Sequence, residues 1–156
     1  MLFRSLADLL AQPPALRGRS LALLVQRFGA GRLPDAGERK LLSEWASAQG
    51  LPRRTLAGAL LARRTRQLLV GREAGRITNG PAMMPDAGDM IWDRRFRVRG
   101  PVGSAVQAAG QVQPPNPPDG VPAFVRAAMP AIMVPGGTWA FAPLHEAGGA
   151  VARFIS

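Results

Sequence analysis

The sequence predicts an α+β fold: a short N-terminal helical subdomain, then a small, mostly antiparallel β subdomain with one late helix. Three observations carry this. Apolar residues recur at helical spacing up to about residue 50, short alternating runs replace them afterwards, and 18 Gly and 15 Pro cut the 156 residues into brief elements. The expected division is a helical subdomain over 1–52 and a β-rich domain over 53–156, with Leu51–Pro52 as the boundary and a Pro-rich linker at 113–120. No segment repeats at a fixed period.

Taken in order, Leu2, Phe3, Leu6, Leu9 and Leu10 predict an amphipathic helix over 2–12, stopped by Pro13–Pro14. The run RSLALLVQRF predicts a second helix over 19–28, closed by Gly29 and Gly31. Asp35 is the expected N-cap of a third helix, 36–49, with Leu41, Leu42 and Trp45 inward and Gly50 at its end. The segment from Leu56 to Gly71 admits two readings: one helix, or a hairpin turning at Arg64–Thr65. A single helix would place polar Arg63 and Arg64 on its apolar face. Residues 75–89 read as loop. In MIWDRRFRV (90–98), Ile91, Asp93, Arg95 and Arg97 alternate with Trp92, Phe96 and Val98, which marks a half-buried strand or a tight hairpin. Arg94 breaks the alternation and fits a turn at Asp93–Arg94. The stretch 101–112 is weakly patterned, and PPNPPDG is a stiff linker of polyproline character. A helix is expected in VPAFVRAAMP, with Pro122 in its first turn; AIMVPG, TWAFAP and VARFI are expected strands, the first two joined by a turn at Pro135–Thr138.

Little in these residues points to catalysis. Cysteine is absent, so disulfides and thiolate metal sites are excluded. His145 is the only histidine and reads as a loop or surface residue; Asp86, Asp89 and Asp93 are the densest acids, and their spacing fits no calcium loop. Pro135-Gly136-Gly137-Thr138 lacks the lysine of a phosphate-cradling loop. Neither a nucleophile elbow nor a paired-carboxylate pattern occurs, so no cofactor site is expected in this chain. No apolar run approaches the ~20 residues that span a bilayer. The N-terminus, with Asp8 inside its apolar stretch, reads as amphipathic helix rather than signal peptide. The expected location is the cytoplasm.

Charge is the informative property. The net charge is +10, and it is unevenly placed: residues 1–50 carry +3, residues 51–100 carry eleven Arg against four acids for +7, and the remainder sums to zero. Nineteen Arg against one Lys fits the coding bias of a GC-rich genome, but such a bias does not explain clustering. The candidate RNA contacts are Arg53, Arg54, Arg63, Arg64, Arg66, Arg72, Arg94, Arg95 and Arg97, with Arg76 and Arg99 in the same stretch. Guanidinium groups grip phosphates in a bidentate manner and stack on bases. The bland alternative is a solvated arginine face, with Trp92 and Phe96 in the core.

Several blocks fall in a telling order: Thr55-Leu56-x-Gly58, then Arg72-Glu73-Ala74, then Pro85, Gly88 and Asp89, then Trp92 to Val98, and finally the Arg126 to Ala131 pattern. In this order they resemble the C-terminal region of bacterial tRNA(Ile)-lysidine synthase in its alphaproteobacterial form, over about residues 54–141. The resemblance implies a β-rich domain that grips isoleucine tRNA and helps orient its anticodon. In that family a separate PP-loop domain carries a Ser-Gly-Gly-x-Asp-Ser motif, binds ATP, adenylates the wobble cytidine and admits lysine to form lysidine. That motif is not in this sequence, so no ligase role is carried to any residue here, and a separate catalytic half is an implied partner. The chain departs from the family at Ala59, where Cys is frequent, and at Arg94, where Gly is common. Two other readings stand beside this one: a stand-alone basic module that docks on an acidic protein, and an inactive gene fragment.

Overall fold

Two apolar cores organise the chain, one in each of two units, Met1–Glu73 and Ala74–Ser156. The computed structural model describes residues 3–48, 53–64, 66–77, 80–142 and 151–154, of which 3–5, 64, 151 and 154 enter through their backbone alone. Leu51–Pro52, Thr65 and His145 lie outside the described residues. The class is α+β, as expected, and the two compact units divide at Glu73/Ala74.

The first unit opens on a strand, β1 (Phe3–Ser5), where helix was expected, and only then enters α1 (Leu6–Leu10). Helix α2 (Pro14–Phe28) begins five residues before the predicted start. Pro14 stands in its first turn, where a missing N–H costs nothing, so the proline pair starts this helix as well as ending the previous one. Helix α3 (Ala36–Ser47) has the predicted cap: Asp35 accepts from the Glu38 N–H at 2.8 Å, and Glu38 accepts from the Asp35 N–H at 2.9 Å. The helices approach closely at Gly18, where a Cβ would stand 2.5 Å from the Arg39 carbonyl oxygen.

The ambiguous segment is a hairpin, and in fact two: β2 (Arg53–Leu56), β3 (Ala59–Arg64) and β4 (Gln67–Arg72) pair antiparallel in succession. Ala57 and Gly58, at φ 47° and 75°, make the first turn. In the second, Arg64 pairs with Gln67 and Arg66 lies in the turn, so Arg64 is still in its strand where the turn was expected to begin. The N-terminal strand β1 covers the far edge of β4, with Phe3 opposite Leu69 and Ser5 opposite Gln67. An uncovered edge strand would leave a row of backbone donors and acceptors unpaired, which explains why Phe3 is drawn out of the helical pattern. One face of this sheet, Ala59, Leu61, Leu68 and Val70, packs on Leu9, Leu21, Val25, Phe28, Leu42 and Trp45. Hairpins and helices complete one core together, and the first compact unit ends after them, at Glu73.

The second unit holds a 3-10 turn (Ala74–Arg76), β5 (Ala82–Met83), β6 (Asp89–Trp92), β7 (Phe96–Arg99), β8 (Ala105–Ala108), α4 (Ala109–Val112), α5 (Ala123–Ala127), β9 (Pro130–Met133), β10 (Ala140–Phe141) and β11 (Val151–Phe154). They form two antiparallel sheets, of order β10-β9-β8-β5 and β11-β7-β6. The predicted hairpin at Asp93–Arg94, the strands AIMVPG, TWAFAP and VARFI and the turn after Val134 are all present. Trp92, Phe96 and Val98 face a core with Val106, Ile132 and Ala152. Two late helices occur instead of one. Gly110 of α4 stands so near Ala127 that a Cβ would lie 2.9 Å from that methyl. The Pro-rich stretch is therefore a loop between neighbouring helices, and Gln113, Asn116 and Gly120 at φ 45°, 55° and 70° break its polyproline run. Among the described residues no helix is long and apolar enough to cross a membrane.

Candidate nucleic-acid interface

Strand register sorts the nine candidate arginines, because residues directly opposite one another share a face of the sheet. In the first unit Arg54 opposes Leu61, Arg63 opposes Leu68 and Arg72 opposes Ala59, so all three take positions on the helix-covered face. Arg72 is buried and donates from Nη1 to the Gly58 carbonyl at 3.3 Å, which ties the end of β4 to the β2–β3 turn. Arg63 donates from Nη1 to the carbonyl of Ala48, the C-cap residue of α3. A cation there meets the negative end of the helix dipole. Arg54 is half-buried. These three do not form an outward array with the others, as the sequence suggested.

Arg53 and Arg66 are the exposed members of this group. Arg53 opposes Ala62 on the opposite face of the edge strand β2, and Arg66 occupies the β3–β4 turn. Among the described residues neither is held by an ion pair. Arg64 ends β3, and its side chain lies outside the described residues.

The second unit handles its arginines differently. Arg94 is exposed in the β6–β7 turn at φ 58°. Arg95, expected beside Arg97 on the polar face, is buried at 8% exposure. Its Nε donates to Asp93 Oδ2 at 2.8 Å, its Nη2 donates to Asp93 and to the Ala128 carbonyl, and its guanidinium lies 5.3 Å from the centre of the Phe96 ring. The cause is the turn: Trp92 pairs with Phe96, so residues 93–95 leave the strand and the period-two alternation stops applying to them. Arg97 is exposed as expected and grips Asp89 through Nε and Nη2 at 2.5–3.1 Å. This pairing, and the nearby Arg99 at 3.6 Å, holds the Asp89 carboxyl below the ordinary carboxylate range and raises Arg97 further.

Sequence reasoning missed Arg153, which β11 brings opposite Arg97. The signal was the alternation in VARFI, but its partner strand could not be read from the chain. By structural unit the charge is also redistributed: residues 1–73 hold thirteen Lys/Arg and five acids for +8, and residues 74–156 hold seven and five for +2. A shallow cavity of about 360 Å³ opens beside Gly18 between α2 and α3, but its polar groups are engaged: Ser43 accepts from Arg17, and Arg39 donates to the Pro34 carbonyl. Among the described residues no group of three or more His, Asp or Glu side chains could hold a metal ion. No protein-family model matches the chain, and no curated protein or solved structure matches it either.

Proposed function

We propose that this chain is a tRNA-binding segment, the C-terminal portion of a tRNA(Ile)-lysidine synthase acting in the cytoplasm. ATP and lysine would be handled by a separate catalytic half. The observation that carries the RNA reading is the +8 excess of the first unit, with Arg53 and Arg66 exposed and free of ion pairs among the described residues. Such cations take up phosphates and release the condensed counterions, so affinity falls steeply with salt. The family reading draws support from two positions. Arg94, where relatives commonly carry Gly, has φ 58°, and Gly58, one of the matching residues, has φ 75° and accepts from Arg72, another of them.

The test is tRNA affinity measured by fluorescence anisotropy across a KCl series. Replacing Arg53 and Arg66 together by Ala is expected to weaken binding and to reduce the slope of log K against log salt by about 0.9 per lost phosphate contact. An unchanged slope refutes the assignment of these two residues. Capture of a protein that survives nuclease treatment, without tRNA binding, replaces the RNA reading by protein docking. Lysidine formation on adding this chain to a separately produced PP-loop domain tests the family assignment.

A further inference from the structure

We infer that the outer face of the β11-β7-β6 sheet is a phosphate-binding surface made by Arg97, Arg99 and Arg153, with Asp89 as the acid that a phosphate displaces. This deepens the RNA reading and rests on it. The inner face of the sheet is accounted for by Met90, Trp92, Phe96, Val98 and Ala152, which pack in the second core. The register leaves Asp89, Ile91, Arg97, Arg99 and Arg153 on the other side. Arg97 and Arg99 are 55% and 58% exposed along their side chains.

Cross-strand pairing accounts for Asp89 against Arg97 and Arg99, but not for Arg153. Arg153 lies directly opposite Arg97, and like charges opposed across strands destabilise a sheet. Among the described residues a single carboxylate, Asp89, faces the three guanidiniums: it receives Arg97 through both oxygens and has Arg99 at 3.6 Å. The described residues of this face therefore carry a net charge of +2. A phosphodiester presents two unesterified oxygens to a guanidinium fork as a carboxylate does, so it can take the place of Asp89 on Arg97 and be shared with Arg153. Arg97 and Arg99 are two residues apart on one strand, about 7 Å, which lets each take its own phosphate. A nucleic acid strand supplies such a row of monoanions.

The experiment is tRNA anisotropy over a KCl series with wild type, Asp89→Asn and Arg153→Gln, alongside the Arg53/Arg66 double variant. Removing the competing charge in Asp89→Asn is expected to tighten binding roughly three- to tenfold at low salt and steepen the salt slope by about one contact. Arg153→Gln is expected to weaken binding by a similar factor and flatten the slope, while its melting temperature stays level or rises as the like-charge pair is relieved. If Asp89→Asn and Arg153→Gln bind as wild type while the Arg53/Arg66 variant binds weakly, this inference fails and the RNA reading stands. If wild type binds no tRNA, both fail. If Asp89→Asn gains affinity for an acidic protein and not for tRNA, the surface serves a protein and the inference is overturned.

Discussion

The two units use arginine in opposite ways. The first carries thirteen cations against five acids and leaves Arg53 and Arg66 outward on its hairpins; the second carries seven against five and gives its β6–β7 arginines carboxylates to hold, Asp93 for Arg95 and Asp89 for Arg97 and Arg99. Counting arginines along the sequence therefore does not separate those the fold engages from those it leaves at the surface. The densest run, Arg94 to Arg99, contains a core ion pair, and the hairpin set contains a helix cap and a turn clamp. What separates a structural arginine from an available one is whether the fold buries it against its acceptor, as it does Arg72 and Arg95, or leaves the pair at the surface, as with Arg97 and Asp89.

Arg95 offers the largest break in that comparison. Replacing it by Gln removes the guanidinium from Asp93, from the Ala128 carbonyl and from the Phe96 ring. Loss of one partner from a buried pair costs about 3–5 kcal/mol. The expected result is faster hydrogen exchange in peptides from 74–142, unchanged exchange in peptides from 3–48, and unchanged tRNA affinity per folded molecule. A tRNA defect without destabilisation would return Arg95 to the interface.

In the first unit the matching test is Gly58→Ala. At φ 75° an L side chain is strained, and the new methyl would strike the Arg72 guanidinium and crowd Ala30 at 3.3 Å. Strain and clash of this kind cost about 1–3 kcal/mol. A urea midpoint lowered by that amount, with a smaller loss in Arg72→Ala, would show that the turn depends on glycine first and on its clamp second.

Much of this was legible in the chain, for reasons that differ by element. Helix α3 announced its cap, because a capping box is a local device, and two of its three expected inward residues: Leu42 and Trp45 are buried, while Leu41 is exposed and Ala46 takes its place. The β6–β7 hairpin showed in the alternation around Trp92. Strand β8 did not: Ala105, Val106 and Ala108 are buried on both faces, so no polar residue marks a period of two. Strand β1 was hidden because its helical spacing is satisfied equally well by pairing with β4, a contact more than sixty residues away. The candidate site was legible as a region and not as a surface. Facing depends on register, and burial of Arg95 depends on a three-residue turn whose length the alternation does not encode.

Arg94 tests a smaller difference, between charge and conformation at one position. A non-glycine residue at φ 58° costs about 1–2 kcal/mol, so Arg94→Gly is expected to raise the stability of the second unit by about 1 kcal/mol. If tRNA affinity falls in the same variant, the arginine is kept for its charge at the expense of the turn. Higher stability with unchanged affinity would remove Arg94 from the interface.

The smallest effect expected is a pH dependence belonging to the first unit. The Glu38 carboxyl is lowered from 4.5 to about 2, first by the two-pronged contact from Arg32 at 2.6 and 2.8 Å and then by the Asp35 N–H. Its folded-state value lies below its unfolded one, so the stability it contributes is complete above pH 4.5 and is lost as pH falls from 4.5 towards 2. Because Glu38 is on the surface, the contribution is small and screened by salt. Urea midpoints at pH 7 and pH 3, followed by helical circular dichroism, should fall less in Glu38→Gln than in wild type. At pH 7 the variant should already be the weaker of the two, since half the capping box is changed. Equal pH sensitivity in both proteins would mean that the exposed arginine of this unit, like Arg53 and Arg66, is free in solution, and that only the second unit ties its surface arginines to carboxylates.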